Sequence, residues 1–235
     1  MPGITTNLAG WRPLPLPAPV TLVGRWVTLE PLSAARHTRA LWQAVSGHDD
    51  VWRWLGDGPY SREDDLGEAL ALKETGSAAR FFAILPEFAP TAAGYASLMR
   101  MDPANGVIEV GNVMFSPSLQ RTPAATEAMY LMARSIFEDL GYRRYEWKCN
   151  AGNLPSRRAA QRLGFTFEGI FRQHMIVKGQ NRDTAWFSML DSEWPARKQA
   201  FEAWLAPENF DQDGRQKRSL SSFSAMREPI ANKEI

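Results

Sequence analysis

Polar and apolar positions along this chain recur with two spacings, and the switches between them lay out its elements. Trp26-Val-Thr-Leu-Glu30 alternates with a period near two and predicts a strand. Ser33 then offers an N-cap to Ala34–Val45, where Leu41, Trp42 and Val45 stand at helical spacing before Gly47. A short aromatic segment, Val51-Trp-Arg-Trp-Leu55, runs into the turn Gly56-Asp-Gly-Pro59. Ser61-Arg-Glu-Asp64 opens a second helix, its first-turn acids matched to the helix dipole, that stops near Gly76. Arg80–Leu85, Ala92–Met101 and Val107–Phe115 read as an antiparallel meander, with the hairpin turn Asp102-Pro-Ala-Asn-Gly106 joining the last two.

After Phe115 the period changes. Thr122 caps a helix over Ala124–Leu140, with Pro123 at or near its first position, where a missing N–H costs little. Met129, Met132, Ala133, Ile136 and Phe137 form its apolar side, and Gly141 closes it. Arg143–Cys149 is strand-like, and Asn150–Asn153 is a loop before a short helix over Pro155–Leu163. Phe165–Phe171 and Gln173–Lys178 predict a strand pair, Lys178–Arg182 a turn, and Thr184–Leu190 a last strand. Glu193–Leu205 is helical, with Trp194, Phe201, Trp204 and Leu205 apolar. The order β-α-α-β-β-β-α-β-α-β-β is a mixed α/β arrangement.

The pattern divides the chain in three. Residues 1–19 carry Pro2, Pro13, Pro15, Pro17 and Pro19, and form an extended arm packed on the body through Trp11. Residues 20–205 form one domain. Residues 206–235 are polar with little periodicity, and read as a surface-hugging or disordered tail.

Composition narrows the function classes. A hydrophobic content of 44% and a charged content of 23% are ordinary for a soluble globular protein, and a net charge of +1 makes no case for nucleic acid or membrane. No apolar run approaches the ~18 residues a spanning helix needs, and prolines interrupt the N-terminus where a signal peptide would be continuous. The single cysteine, Cys149, excludes an internal disulfide and a Cys-based metal cluster, so no metal is expected and a cytoplasmic location is. Cys149 itself reads as a small buried hydrophobe, and His37 and His48, far from other ligand types, as surface residues.

Candidate chemistry begins at Glu109–Met132, a strand that feeds through a turn into a helix N-terminus. Such a junction points free backbone N–H groups at one spot and favours an anion. Gln120-Arg-Thr-Pro-Ala-Ala125 is the turn, with Arg121 available for charge. A second loop-to-helix junction follows a strand at Asn153-Leu-Pro-Ser156, whose helix ends in Leu163-Gly164-Phe165.

Together these pieces resemble the GCN5-related N-acetyltransferases (GNAT), most closely their branch of ribosomal-protein and small-molecule N-acetyltransferases. The family's Gln/Arg-x-x-Gly-x-Gly/Ala stands here as Gln120-x-x-Pro123-x-Ala125, and its Asn-x-x-Ser motif as Asn153 and Ser156. Phe167-Glu-Gly169 and Asp183 also look like that branch, and the similarity runs from about Gly24 to Glu193. The resemblance implies a GNAT fold, a mixed and mostly antiparallel sheet flanked by helices, with acetyl-CoA as co-substrate. It further implies an amine-bearing acceptor, either a protein or a small molecule. The chain is expected as a monomer or homodimer.

The same resemblance assigns roles. Val113 and Phe115, on a strand that splays from Arg144–Lys148, bind the pantetheine arm through the main chain. Gln120, Arg121, Thr122, Ala124 and Ala125 take the diphosphate, with one donor missing because Pro123 replaces the family's glycine. Asn153 holds the pantetheine, and Ser156 lies near the thioester sulfur as proton donor to the leaving thiolate. Direct transfer also needs a base for the amine. Glu109, Glu146, Glu168 and His174 lie on predicted strands near the cleft, and Glu168 and His174 join Ser156 as catalytic candidates without a decision between them. Trp52, Trp54 and Asp57 suit a cationic amine or simply pack. The alternative to an enzyme is a CoA-binding sensing or scaffolding module of the same fold, to which the basic run Arg215-Gln-Lys-Arg218 adds a hint of a partner.

Overall fold

The computed structural model describes residues 7–224. Eight strands form one sheet in the order β1-β2-β3-β4-β5-β6-β8-β7. They are β1 (Leu22–Val23), β2 (Val27–Pro31), β3 (Ala79–Pro86), β4 (Gly94–Asp102), β5 (Val107–Phe115), β6 (Arg144–Asn150), β7 (Thr166–Val177) and β8 (Gln180–Leu190). Every neighbouring pair is antiparallel except β5 and β6, which run parallel. A parallel pair needs a long crossover, and α3 (Pro123–Arg134) provides it.

Strand alternation sorts side chains onto two faces. On β6, Tyr145, Trp147 and Cys149 are buried with Ile108 and Val110 of β5, against α3 and α5 (Trp194–Leu205). The opposite face has its own core, where α1 (Ala34–Val45) and α2 (Glu63–Thr75) lay Leu41, Val45, Leu66 and Leu70 on Ala83, Tyr95 and Met114. On this second face the β6, β7 and β8 end of the sheet carries polar and aromatic residues.

The N-terminal arm packs as a strap from residue 7 onward. Trp11 Nε1 donates to Ala104 O at 2.7 Å, Leu14 N to Pro103 O at 3.1 Å and Tyr142 Oη to Pro15 O at 3.1 Å. At the other side of the molecule Glu127 of α3, 5% exposed, accepts from Arg25 N at 3.0 Å and Trp26 N at 2.5 Å. A Cβ added at Gly24 would meet that carboxylate at 2.4 Å, so the β1–β2 turn needs glycine there for close approach.

Several expectations are corrected. The segments Phe165–Phe171 and Gln173–Lys178 are one strand, β7, whose partner is β8 rather than each other. Two bulges interrupt it, with Gln173 at φ 49°, which imitates a turn in sequence. The helix expected to reach Leu140 is α-helical only to Arg134, and Ser135–Asp139 continues it as a π-helical segment. His37 is 4% exposed, not a surface residue, because its Nδ1 accepts the Ser33 backbone N–H at 3.0 Å.

The region after Leu205 has structure of its own. Asn209 Nδ2 donates to Trp204 O at 3.0 Å, Trp204 Nε1 donates to Gln216 Oε1 at 2.7 Å, and buried Leu220 begins the short α6 (Leu220–Ser224). The basic run is part of this packing, with Lys217 N donating to Asn209 O at 2.6 Å. The rest of the expected tail, residues 225–235, lies outside the described residues.

Candidate active site

The two central strands pair over only part of their length. Val107–Val110 align with Arg144–Trp147, and beyond that rung β5 and β6 separate. A bulge drives the separation. Between Tyr95/Met114 and Ser97/Gly111 of the β4–β5 ladder, β5 carries one extra residue, and Asn112 takes φ 50°. Asn112 Nδ2 donates to Ser97 Oγ at 3.0 Å and Ser97 Oγ donates to Gly111 O at 3.1 Å, which locks the bend. Val113 and Phe115 therefore line a wedge whose other wall is the end of β6.

Beyond β5 the chain turns into α3. Arg121 adopts φ 63°, and Thr122 Oγ1 accepts the Ala125 N–H at 3.1 Å. Gln120 Nε2 donates to Phe115 O at 3.0 Å. The expected anion cradle is thus partly occupied by the chain itself. The Gln120 side chain and the Ala125 N–H already have partners, and Pro123 has no N–H. Arg121 and Ala124 remain as the backbone donors of the turn.

On the far side of the wedge, Asn153 caps α4 (Leu154–Arg162), its Oδ1 accepting the Ser156 N–H at 3.1 Å. That contact spends the Asn153 oxygen and leaves its Nδ2 as donor. Ser156 Oγ accepts from Trp147 Nε1 at 3.0 Å. Trp147 belongs to the last paired rung, so the hydroxyl sits at the point where the strands part. Cys149 is buried, which raises its thiol pKa against the opposing hydrogen bond from Ser156. A buried thiol held protonated is a poor nucleophile.

A ladder of charge crosses the second face just before the wedge. Arg100 Nη1 meets Glu109 at 2.7 and 2.8 Å, and Lys148 Nζ lies 2.9 Å from Glu109 and 2.6 Å from Glu146. Arg144 then bridges Glu146 at 2.7 Å and Glu168 at 2.8 and 2.6 Å. Glu109 and Glu146 are each gripped by two cations. Glu168, expected as a catalytic candidate, is held by Arg144 in the same way. The Arg144 hydrogen bonds hold its carboxyl below the usual carboxylate range, aided by Ser188 Oγ donating at 2.6 Å. The bulge at Glu168, with Phe167 opposite Phe187 and Gly169 opposite Trp186, swings it onto this ladder.

His174 is placed differently. It lies in the second β7 bulge, where Phe171 pairs with Thr184 and Met175 with Arg182. Its Nδ1 is 3.0 Å from Thr184 Oγ1, and its ring packs edge-on to Phe171, with centroids 5.7 Å apart. In the neutral tautomer whose Nδ1–H donates to Thr184, Nε2 is the acceptor nitrogen of the ring. Thr184 pairs with Asn150 at the end of β6, so the wedge and His174 share one neighbourhood. Ser156 stands on the Trp147 face of β6 and His174 on the opposite face with Thr184 and Trp186, whereas Glu168 belongs to the ladder.

The segment Val51–Tyr60 roofs this area. Lys178 Nζ, at the β7–β8 tip, donates to Trp52 O at 3.0 Å, and a Cβ at Gly152 would lie 3.5 Å from the Trp54 ring. Trp52 is 2% exposed and packs edge-on to Tyr60 at 5.0 Å, so it is a core residue. Asp57 accepts from Tyr60 Oη at 2.7 Å and pairs with Lys73, which removes it as a free partner for a cationic amine. Behind this pair a cavity of about 380 Å³ lies between α2 and β3, lined by Tyr60, Leu72 and Phe81 among others.

A wedge between two parallel central strands, with a capped helix on each side, is what comparison with known families tests. The acetyltransferase (GNAT) domain family matches residues 27–166. This chain belongs to that family. A GCN5-related N-acetyltransferase from Brucella melitensis is 50% identical over 92% of this chain and 99% of that one, with a TM-score of 0.91. A Chromobacterium violaceum ATCC 12472 protein, described as a probable GNAT acetyltransferase, is 43% identical over 83% of this chain and 98% of that one, with a TM-score of 0.77. YdaF of Bacillus subtilis (strain 168), provisionally named a ribosomal N-acetyltransferase, is 30% identical over 45% of this chain. The chain spans 57% of that curated relative's length.

Among the described residues of this GNAT chain, no group of His, Cys, Asp and Glu is placed to hold a metal ion, and no helix is long and apolar enough to cross a membrane. One feature of this face escaped the sequence reading. Arg182, assigned there to a turn, lies within β8 on the face of Thr184 and Trp186, beside the wedge.

Proposed function

We propose that this chain transfers an acetyl group from acetyl-CoA directly to a primary amine, on a protein N-terminus or a small molecule, with no covalent enzyme intermediate. The reading rests on the parting of β5 from β6 after the Val110–Trp147 rung, with Ser156 beside it. The main chain of Val113 suits a pantetheine amide, that of Phe115 joining it once the Gln120 side chain gives up the Phe115 carbonyl, and the Asn153 Nδ2 reaches the same arm from the other wall. Arg121 and Ala124 N–H groups, with the Arg121 side chain, receive the diphosphate at the α3 N-terminus. Ser156 and His174 then act on the two ends of the reaction.

In the transfer, the neutral amine nitrogen attacks the thioester carbonyl and the carbon–sulfur bond breaks. The nitrogen's surplus proton passes to His174 Nε2. The leaving thiolate takes a proton through Ser156, which regains one from solvent, and His174 returns the amine's proton to solvent, so amide and free thiol form without net proton change. Serine is a weak acid, so its placement by Trp147 matters more than its acidity.

The test is thiol release from acetyl-CoA with a panel of amines, read together with product mass. Ser156→Ala lowers kcat by about 10²-fold, and Asn153→Ala raises the acetyl-CoA KM. Turnover that survives both substitutions removes this mechanism. Binding of acetyl-CoA without thiol release for any amine supports the scaffolding alternative, which the occupied Ala125 N–H and Pro123 favour.

A further inference from the structure

Arg182 is a half-buried guanidinium without a counterion. Among the described residues it makes no ion pair, and its Nε is a buried donor with no hydrogen-bond partner. Burial lowers its pKa, and the nearby Arg100 charge pushes the same way, against weaker support from Cys149 and Glu109. By contrast, Arg100, Lys148 and Arg144 on this face each hold a carboxylate of the ladder. A half-buried charge left unpaired beside a like charge is costly, and an unpartnered buried donor calls for a partner from outside the chain, an ordered water or a bound anion.

A second donor stands on the same strand face. The Trp186 Nε1 is buried and unpartnered, while its ring stacks on Phe171 at 4.4 Å and on the Lys148 ammonium at 3.8 Å. Thr184, which holds His174, lies between Trp186 and Arg182 on this face. The two remaining unpartnered buried groups, the Tyr145 hydroxyl and the Arg197 Nε, belong elsewhere, the former in the core of the other face and the latter beside Gly164. The donors at Arg182 and Trp186 therefore stand on the strand face that carries Thr184 and, through it, His174.

We infer that the acceptor is a carboxylate-bearing amine, whose carboxylate docks on Arg182 with the Trp186 indole N–H as a second donor. This rests on the acetyl-transfer reading above. The coenzyme does not supply the anion, because its pantetheine arm and acetyl group are neutral, its diphosphate belongs at the α3 N-terminus, and its 3′-phosphate lies beyond that diphosphate at the adenosine end. The carboxylate is that of a free amino acid or of an acidic residue next to a peptide N-terminus, and both present the same chemistry to Arg182.

The test uses matched pairs with the full chain. The common amino acids are each compared with their α-amide, and serylaspartate amide with serylasparagine amide, in thiol release and in thermal shift. The account expects the carboxylate member of a pair to have kcat/KM higher by about tenfold, and the pair that shows it distinguishes the two sources. Arg182→Gln abolishes that preference by raising acceptor KM, leaves acetyl-CoA KM unchanged, and removes the Tm rise given by the carboxylate member alone. Equal turnover of both members, or an Arg182→Gln effect confined to acetyl-CoA KM, overturns the inference while acetyl transfer stands. If no amine is acetylated, acetyl transfer fails and thermal shift decides the anion site separately: a carboxylate-selective Tm rise lost in Arg182→Gln supports it, and no selective rise overturns it.

Discussion

Trp147 Nε1 donates to Ser156 Oγ at 3.0 Å, joining the last paired rung of the β5–β6 ladder to the first turn of α4. The bond occupies an acceptor site of the hydroxyl and leaves its hydrogen to donate. Trp147→Phe keeps an aromatic ring in the core but loses the donor. It is expected to destabilise the fold by about 1–2 kcal/mol, and to lower kcat severalfold with little change in acetyl-CoA KM. Denaturant midpoints and steady-state thiol release check the two halves.

Pro123 leaves the turn before α3 one N–H short, and the Thr122 cap takes another from Ala125. Pro123→Gly restores a backbone donor at the helix N-terminus. A hydrogen bond to a charged phosphate contributes about 1.5–3 kcal/mol, so calorimetry is expected to show acetyl-CoA binding about tenfold tighter. The same variant loses the proline's restraint on the unfolded chain and so melts slightly lower.

Glu127 ties α3 to the β1–β2 turn through the Arg25 and Trp26 N–H groups. Glu127→Gln retains one acceptor oxygen and turns an NH2 toward the other N–H, and is expected to cost about 2 kcal/mol in chemical denaturation. An unchanged midpoint would mean that the carboxylate is not holding this turn.

His37 makes stability depend on pH. Burial first, and then the neighbouring Arg36 charge, lower its pKa, while Nδ1 accepts from Ser33 N. The unfolded chain therefore binds a proton at its ordinary value near 6.5 while the folded chain resists it. Between that value and the lower folded one the unfolded state holds more protons, so stability rises with pH and is lost as pH falls. Denaturation at pH 7 and pH 5 is expected to show a loss in the wild type that is smaller in His37→Gln.

Much of the fold is legible in local pattern. The bounds of α1 and β5 follow from periodicity, the Ser33 and Thr122 positions mark helix starts, and Asp102–Gly106 announces its hairpin. The misses share a cause. Gly169 and Gln173 look like turn residues but serve bulges inside β7, and that misreading left Arg182 in a loop. His37 reads as exposed because its partner is a backbone N–H, which composition does not show. Glu168 reads as a free acid because Arg144 lies 24 residues away in sequence. Side-chain chemistry is visible in the sequence, whereas its neutralisation depends on strand order.

We propose that the coenzyme lies in the parting of β5 and β6. Amide hydrogen exchange, resolved by peptide and measured with and without acetyl-CoA, tests it directly. The account predicts slowed exchange at Gly111–Phe115, at Arg121–Ala125 and around Asn153–Ser156, with β2 and β3 unchanged. Exchange at Gly111–Phe115 that is indifferent to saturating acetyl-CoA would contradict it.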